Sequence, residues 1–150
     1  LRIAPPEAPT TGYMFGKGVY FADTFQKSYG YCGDTAYDEE TKKNSAFLLL
    51  CEVALGEMLE LRQAQYITEL QAPYKSVKGI GRTGPNLKQC IVLANGTKVP
   101  CGKQKTYKIK PDAQQNGYWG WGWNSLNHNE YIVYDTSQIK MRYLVQVARQ

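Results

Sequence analysis

The chain has 150 residues, of which 43% are hydrophobic, and this length and composition fit one domain with a single core. No apolar run approaches the roughly 18 residues that a membrane-spanning helix needs, so we expect no such helix and no membrane partner. The formal net charge of +5 is compatible with a polyanionic partner but common among ordinary domains. Four scattered cysteines, no C-x-x-C pair and a single histidine argue against a zinc site and favour a reduced intracellular domain over one with disulfides.

The first part of the chain predicts a loop, a strand and a short helix. Three prolines and three glycines in residues 1–18 predict an extended loop. Residues 19–22 are apolar and β-prone, which predicts a strand. Asp23 or Thr24 can then cap a helix over residues 25–31.

The next part predicts one long strand and shorter elements. Residues 34–44 are polar and predict an exposed connection, whereas the continuous apolar run 46–55 predicts a strand buried on both faces. Residues 58–61 can continue as a strand. Residues 62–70 predict a short helix or turn that carries Ile67 and Leu70 inward.

The second half predicts mainly β-structure. Residues 91–94 and 97–100 flank Asn95-Gly96, the signature of a hairpin with a two-residue turn. Residues 101–129 have no periodicity, which favours a functional or mobile loop. Two alternating strands follow, at 130–134 and 139–147, with a turn between them.

These elements predict an α+β fold with mainly antiparallel sheets and short helices, because strands outnumber helices without a strand-helix-strand rhythm. Gly12, Gly16 and Gly18 lack the spacing of a dinucleotide-binding turn and precede a strand instead of following one. We therefore expect no Rossmann sheet, and we assign these glycines to tight backbone turns.

Several segments stand out, in this order: LRIAPPEAP at 1–9, TGYMFGKGVYFAD at 11–23, Lys27-Ser28 with Tyr31-Cys32, EVALG at 52–56, SVKGIGRT at 76–83 and NEYIVYD at 129–135. Together they closely resemble the catalytic domain of the nuclear poly(ADP-ribose) polymerases, over nearly the whole chain except roughly 101–126. The resemblance implies the ADP-ribosyltransferase fold. It also implies an enzyme that uses NAD+ as substrate, without a metal, and transfers ADP-ribose to acceptor proteins and to growing poly(ADP-ribose).

Glu130 is the candidate catalytic residue that the resemblance implies. Cleavage of the nicotinamide–ribose bond leaves a positively charged, oxocarbenium-like ribose, which a fixed carboxylate stabilises in the transition state. In the family this glutamate also activates the acceptor hydroxyl, a general-base effect typically of about 10²–10⁴-fold. Lys27 adjoins the site and supports catalysis in relatives. Without this context, either residue would be read as a solvated surface charge.

Nicotinamide is a flat cation while it is attached to ribose, so aromatic faces bind it by stacking and cation–π attraction. Tyr20 and Tyr31 are the candidate rings, with core packing as the alternative for each. Ser28 lies three residues before Tyr31, hence on one side of the predicted helix, where its hydroxyl can bond the carboxamide.

The N-terminal loop is the expected cover of the NAD+ adenosine and phosphates. By resemblance, Arg2 and Ala4 open this loop, and a guanidinium suits anionic oxygens. Tyr13 closes the same pocket.

Part of the family pattern is absent from residues 1–150. The family's His-Tyr-Glu triad has its histidine, followed by a glycine, in a segment that would precede Leu1, together with a first strand and any regulatory or DNA-binding domains. His128 does not match that histidine and is interpreted as a loop residue. The resemblance therefore implies the C-terminal portion of a catalytic domain, located in the nucleus, with DNA contacted only through upstream domains.

Two alternatives remain open from the residues. The chain could be a catalytically silent binding module for nucleic acid or poly(ADP-ribose). The segment Tyr118–Trp123 alternates aromatic residues with glycine and departs from the family. It could be a base-stacking surface, a self-packed turn or a border of the acceptor side.

Overall fold

The structure is a computed structural model that describes residues 1–32, 36–38, 43–107 and 126–148. Within those ranges the chain forms one α-helix, α1 (Phe25–Tyr29), and two 3-10 helices (Leu87–Gln89 and Thr136–Gln138). The strands are β1 (Val19–Phe21), β2 (Ala36–Asp38), β3 (Lys43–Val53), β4 (Met58–Leu61), β5 (Ser76–Gly79), β6 (Gly81–Pro85), β7 (Ile91–Val92), β8 (Lys98–Val99), β9 (Gln104–Thr106), β10 (Leu126–His128), β11 (Glu130–Val133) and β12 (Ile139–Ala148).

The strands form a central sheet and three smaller groups. The central sheet has the order β1-β11-β5-β4, and the others are β10-β6-β9, β12-β3-β2 and the hairpin β7-β8. Strands β4 and β5 run parallel, as do β10 and β6, and the other described pairs are antiparallel. The predicted α+β fold with mainly antiparallel pairing is confirmed.

The core lies against one face of the central sheet. Val77 and Ile132 are fully buried there, opposite one another on β5 and β11, and Phe15 and Leu126 pack on them with Ile67. Gly16 lets the N-terminal loop close over this core. Its φ is +86°, and a Cβ at this position would stand 2.0 Å from the carbonyl oxygen of Ile67, so no other residue fits.

The prediction that residues 46–55 are buried on both faces is wrong. Strand β3 ends at Val53, and Phe47, Leu49 and Leu50 are 55%, 50% and 54% exposed. Its partner β12 is equally uncovered, since Tyr143 is 65% exposed. A continuous apolar run identifies a strand, but it does not determine which element packs on that strand.

Three predictions for the first half of the chain differ from the structure. The helix ends at Tyr29 instead of residue 31, with Gly30 as its C-cap. Residues 62–70 form a turn without a helix, although Ile67 and Leu70 do point to the core as expected. Strand β2 occupies residues that were expected to be an exposed connection.

The hairpin β7-β8 exists, but its connection has three residues instead of two. The amide of Leu93 donates to the carbonyl oxygen of Thr97 (2.9 Å), and Gly96 has a φ of +83°. This is the turn in which a left-handed residue adds a bulge after a tight turn.

Strands β5 and β6 were not predicted, because both are short and rich in glycine and polar residues. Strands β9 and β10 lie at the two ends of the segment that we interpreted as a loop. Tyr118–Trp123 falls outside the described residues. No helix in the described part of the chain is long and apolar enough to cross a membrane.

Candidate active site

The register of β1 and β11 places Tyr20 and Glu130 on the same face of the central sheet. Tyr20 lies opposite Ile132, and Glu130, the first residue of β11, is two residues away on the same side of that strand. Diagonal neighbours of this kind lie about 7–8 Å apart in antiparallel sheets. Two residues that are 110 positions apart in the sequence thus become neighbours through one strand pair.

Glu130 forms a buried ion pair with Lys27. The pair joins the Lys27 Nζ to the Glu130 Oε1, and the two side chains are only 12% and 9% exposed. The Lys27 ammonium also donates to the carbonyl oxygen of His128 (3.4 Å). Helix α1 therefore places a cation directly on the carboxylate at the start of β11.

The hydroxyl of Tyr20 is held by the backbone of the N-terminal loop. It accepts a hydrogen bond from the amide of Phe15 (3.0 Å) and donates one to the carbonyl oxygen of Gly16 (2.8 Å). Burial, and to a lesser extent the negative charge of Glu130, raises the pKa of this phenol to about 12. Tyr20 is therefore a neutral, fixed ring at physiological pH.

A buried polar network that the sequence did not predict supports Glu130 from behind. Asn129, the residue before β11, and Tyr131 flank Glu130 in the chain, and both donate to the Asp23 Oδ2, at 2.8 Å and 3.0 Å. The Asn129 Oδ1 in turn accepts from the amide of Gly81 (2.9 Å). Burial, together with the charge of Asp23, raises the pKa of Tyr131.

Asp23 therefore joins the beginning of helix α1 to the strand that carries Glu130. Its second oxygen, Oδ1, is buried and has no hydrogen-bond partner in the described part of the chain. The N-cap position of α1 is occupied by Thr24, but its side chain makes no capping bond. Thr24 thus occupies the expected N-cap position without a capping hydrogen bond, and the Asp23 carboxylate accepts hydrogen bonds from Asn129 and Tyr131 instead.

Ser28 and Tyr31 remain adjacent although the helix ends before Tyr31. The amide of Tyr31 donates to the carbonyl oxygen of Ser28 (3.1 Å), which continues the helical turn past Gly30. The Tyr31 side chain is 81% exposed, so its ring faces are open to a ligand. Neither residue forms a described hydrogen bond or ion pair with Glu130.

The N-terminal loop is tied to the strand region by Lys17. Its ammonium donates to the carbonyl oxygens of Pro5 (2.8 Å), Ala8 (2.6 Å) and Pro6. Three carbonyls on one ammonium close the proline-rich turn, a contact without any sequence signal. Arg2 is exposed and Ala4 half-buried in the chain that enters this turn.

Tyr13 lies beside Tyr20, one of the two rings predicted to stack on nicotinamide. The ring centroids of Tyr13 and Tyr20 are 6.1 Å apart at an interplanar angle of 52°, within the range of favourable aromatic pairs. The structure thus brings Tyr13, Tyr20, Lys27 and Glu130 into one region. Arg2, Ala4, Ser28 and Tyr31 have no described contacts to Glu130.

His128 is part of a second polar cluster next to this region. Its Nδ1 lies 3.0 Å from the hydroxyl of Thr83 and 3.2 Å from the side-chain nitrogen of Gln104. These residues line a shallow polar cleft on the β10-β6-β9 sheet. His128 is therefore a strand residue, not the loop residue that we expected.

Comparison with known proteins agrees with the fold. The sequence profile of the poly(ADP-ribose) polymerase catalytic domain matches residues 1–149. Similar proteins include poly [ADP-ribose] polymerase 2 of Arabidopsis thaliana, 49% identical over 98% of this chain and 21% of the relative. Poly [ADP-ribose] polymerase 1 of Danio rerio is 46% identical over 98% of this chain and 13% of its own length.

The chain thus spans only 21% and 13% of the lengths of these two relatives. The profile nevertheless covers nearly every residue of the chain, including all of the predicted site residues. The chain belongs to the poly(ADP-ribose) polymerase catalytic-domain family.

Proposed function

We propose that this chain is the C-terminal portion of a catalytic domain that cleaves NAD+ and transfers ADP-ribose to protein side chains and to a growing polymer. The observation that carries the proposal is the buried Lys27–Glu130 ion pair beside Tyr20. A carboxylate that is 7% exposed and held by a cation is not an ordinary strand-end glutamate.

Glu130 stabilises the charge that develops on the ribose. As the bond to nicotinamide breaks, positive charge grows on the sugar, and a preorganised carboxylate lowers the energy of that state without moving. The same carboxylate accepts the proton of the attacking acceptor hydroxyl. Lys27 and the network of Asp23 below β11 keep Glu130 in one position during both steps.

Tyr20 and Tyr31 hold the nicotinamide ring, and Ser28 binds its carboxamide. The neutral, anchored Tyr20 offers a fixed face, whereas the exposed Tyr31 offers an accessible one. Stacking and cation–π attraction contribute about 0.5–2 kcal/mol per ring. Because the nicotinamide loses its charge on leaving, cation–π attraction favours the bound substrate over the product.

The N-terminal loop covers the adenosine and the phosphates. Arg2 is exposed and therefore free to bind anionic oxygens in its fork geometry. Ala4 and Tyr13 complete this side of the pocket. Lys17 fixes the turn between them and so limits the entropy that NAD+ binding must remove.

The remaining part of the proposal follows from family membership. The triad histidine, its following glycine, the first strand and any regulatory or DNA-binding domains lie upstream in a longer protein. That protein acts in the nucleus in the response to DNA damage, and it contacts DNA through those upstream domains.

Transfer of label from NAD+ by the longer protein tests the proposal. We expect long labelled polymer from the wild type, loss of elongation in Glu130→Gln and weaker NAD+ binding in Tyr31→Ala. Two matched controls, Glu52→Gln and Tyr143→Ala, change a more exposed ion pair and another exposed tyrosine outside the site, and both should retain activity.

Two results would contradict the proposal. One is a folded longer protein that neither transfers ADP-ribose nor hydrolyses NAD+ with any activator, while it still binds nucleic acid or poly(ADP-ribose). That result favours the binding module. The other is a Glu130→Gln variant with wild-type polymer length, which removes Glu130 from the mechanism.

A further inference from the structure

The net charge of the chain is concentrated in one lobe. Residues 81–107, here called the basic lobe, comprise β6, the 3-10 helix at Leu87–Gln89, the β7-β8 hairpin and β9. The lobe contains five cationic residues and no Asp or Glu, and the other 13 Lys and Arg residues are matched by the 13 acidic residues of the chain. The cationic residues of the lobe are Arg82, Lys88, Lys98, Lys103 and Lys105.

These cations are exposed and have no acidic partner among the residues that the structure describes. All five side chains are exposed, and the described ion pairs of the chain lie outside the lobe. Arg82 donates to the side-chain oxygen of Asn127, and the Lys105 ammonium lies 5.7 Å from the ring centroid of Tyr107. Their positive charge is therefore available to a ligand, whereas Lys78 is neutralised by Glu60 at 2.7 Å.

The lobe is attached directly to the strand segment that carries Glu130. Strand β6 pairs with β10 in parallel, with Gly81 opposite Leu126. A Cβ on Gly81 would lie 2.2 Å from the carbonyl carbon of His128, so only glycine allows this close approach. Two residues further on is Glu130, and Lys27 touches the same His128 carbonyl.

A shallow polar cleft leads from this junction onto the lobe. Arg82, Thr83 and Gln104 line it together with His128, and Gln26 of helix α1 forms its other side. The lining thus includes Gln26, the neighbour of Lys27 in the sequence, and Arg82, one of the cations of the lobe. A chain that leaves the acceptor side of Glu130 along this cleft meets positive charge.

We propose that the basic lobe binds the growing poly(ADP-ribose) chain and retains it between additions, an inference that rests on the proposed function. Each ADP-ribose unit carries a pyrophosphate, hence two negative charges. Lysine and arginine bind such groups through charge-assisted hydrogen bonds and through release of counterions. Retention raises the number of units added before the product dissociates.

The position of the lobe favours the polymer over single-stranded nucleic acid, because the proposed reaction extends the polymer at Glu130, next to the lobe. Bases of either polymer would need an aromatic platform to stack on, so the charges of the lobe would act on phosphates. The lobe has one aromatic residue, Tyr107. Its side chain is half-buried, and its hydroxyl donates a hydrogen bond to the carbonyl oxygen of Pro85 (2.8 Å). The lobe is thus a charged surface without a stacking platform, adjacent to the residue that extends the polymer.

The test compares two double variants of the longer protein that lose the same charge. Lys103→Gln with Lys105→Gln changes the lobe, and Lys75→Gln with Lys140→Gln removes two exposed lysines outside it. We expect the lobe variant to make polymer several-fold shorter, with an unchanged rate of first transfer, and the control to match the wild type. Purified poly(ADP-ribose) should bind the lobe variant roughly tenfold more weakly, with a salt dependence reduced by about 0.7 per lost contact.

Three outcomes overturn the proposal. The first is an equal effect of both double variants, which would reflect net charge alone. The second is unchanged polymer length and polymer affinity in the lobe variant. The third is loss of duplex DNA affinity without loss of polymer affinity, which would make the lobe a nucleic-acid surface. If the wild type makes no polymer, the proposed function fails, and binding of purified polymer still decides the role of the lobe.

Discussion

The Lys27–Glu130 ion pair predicts a large stability loss when one partner is removed. Glu130→Gln keeps the size of the side chain and one carbonyl acceptor, so the variant loses mainly the negative charge. The Lys27 ammonium, on a side chain only 12% exposed, then has the carbonyl oxygen of His128 at 3.4 Å as its remaining described partner. Breaking a buried pair in this way costs about 3–5 kcal/mol, and the retained acceptor places the expected loss near the lower value.

A double-mutant cycle separates this effect from general disturbance. Lys27→Met removes the other charge, and the double variant leaves no buried charge unpaired. The double variant should therefore lose less free energy of unfolding than the two single variants together, with a coupling energy of about 1–3 kcal/mol. Equilibrium urea unfolding of the chain, followed by far-ultraviolet circular dichroism of its strands, measures all four species.

Glu52→Gln is the control for this cycle. Glu52 pairs with Arg142 at the exposed surface of β3 and β12, so its substitution should change the unfolding midpoint far less. The reasoning fails if the effects of Lys27→Met and Glu130→Gln are additive within about 0.5 kcal/mol. Activity of Glu130→Gln must accordingly be compared with the wild type at a temperature where both are folded.

Three other perturbations test separate parts of the structure. Lys17→Met removes the ammonium that closes the proline-rich turn. In calorimetric titrations of this variant, ADP-ribose should bind roughly tenfold more weakly, whereas benzamide, a nicotinamide mimic, should bind as it does to the wild type. Equal losses for both ligands would disprove the assignment of this loop to the adenosine and phosphates. Tyr131→Phe removes one of the two described hydrogen-bond donors to the Asp23 Oδ2, so the free energy of unfolding should fall by about 1–3 kcal/mol. An unchanged midpoint of thermal unfolding would contradict the stabilising role of the Asp23 network. Because burial raises the pKa of Tyr20 from 10.0 to about 12, its contribution to stability is complete below pH 10 and is lost as the pH rises through 12. Phenolate absorbance of Tyr20→Phe should show one fewer tyrosine that ionises only well above pH 10, and ionisation of all 12 tyrosines near pH 10 in the folded chain would refute this.

The elements that the sequence predicted are those with a local signal. Residues 19–22, 130–134 and 139–147 alternate or concentrate β-prone residues, and strands occur at all three places. Strand β5 was missed because Ser76-Val77-Lys78-Gly79 has no such pattern. It forms because β4 and β11 supply hydrogen-bonding partners on both of its sides, which only the assembled sheet provides.

The site shows the same division. The resemblance identified Glu130, Tyr20 and Lys27, and their proximity agrees with it, although their roles remain predictions. Nothing in the sequence indicated Asp23 or Lys17 as supports. Asp23 binds Asn129 and Tyr131, whose positions are 106 and 108 residues away, and Lys17 binds backbone carbonyls, which every residue type carries.

The sequence by itself therefore determined the family, the α+β class and the candidate chemistry, because these depend on residue types in local order. Only the tertiary structure decided that a carboxylate of β11 is buried against a lysine of helix α1, and that the basic segment 81–107 lies beside that strand. Burial and charge separation depend on which segments become neighbours. Which segments become neighbours is a property of the folded chain, and no local pattern records it.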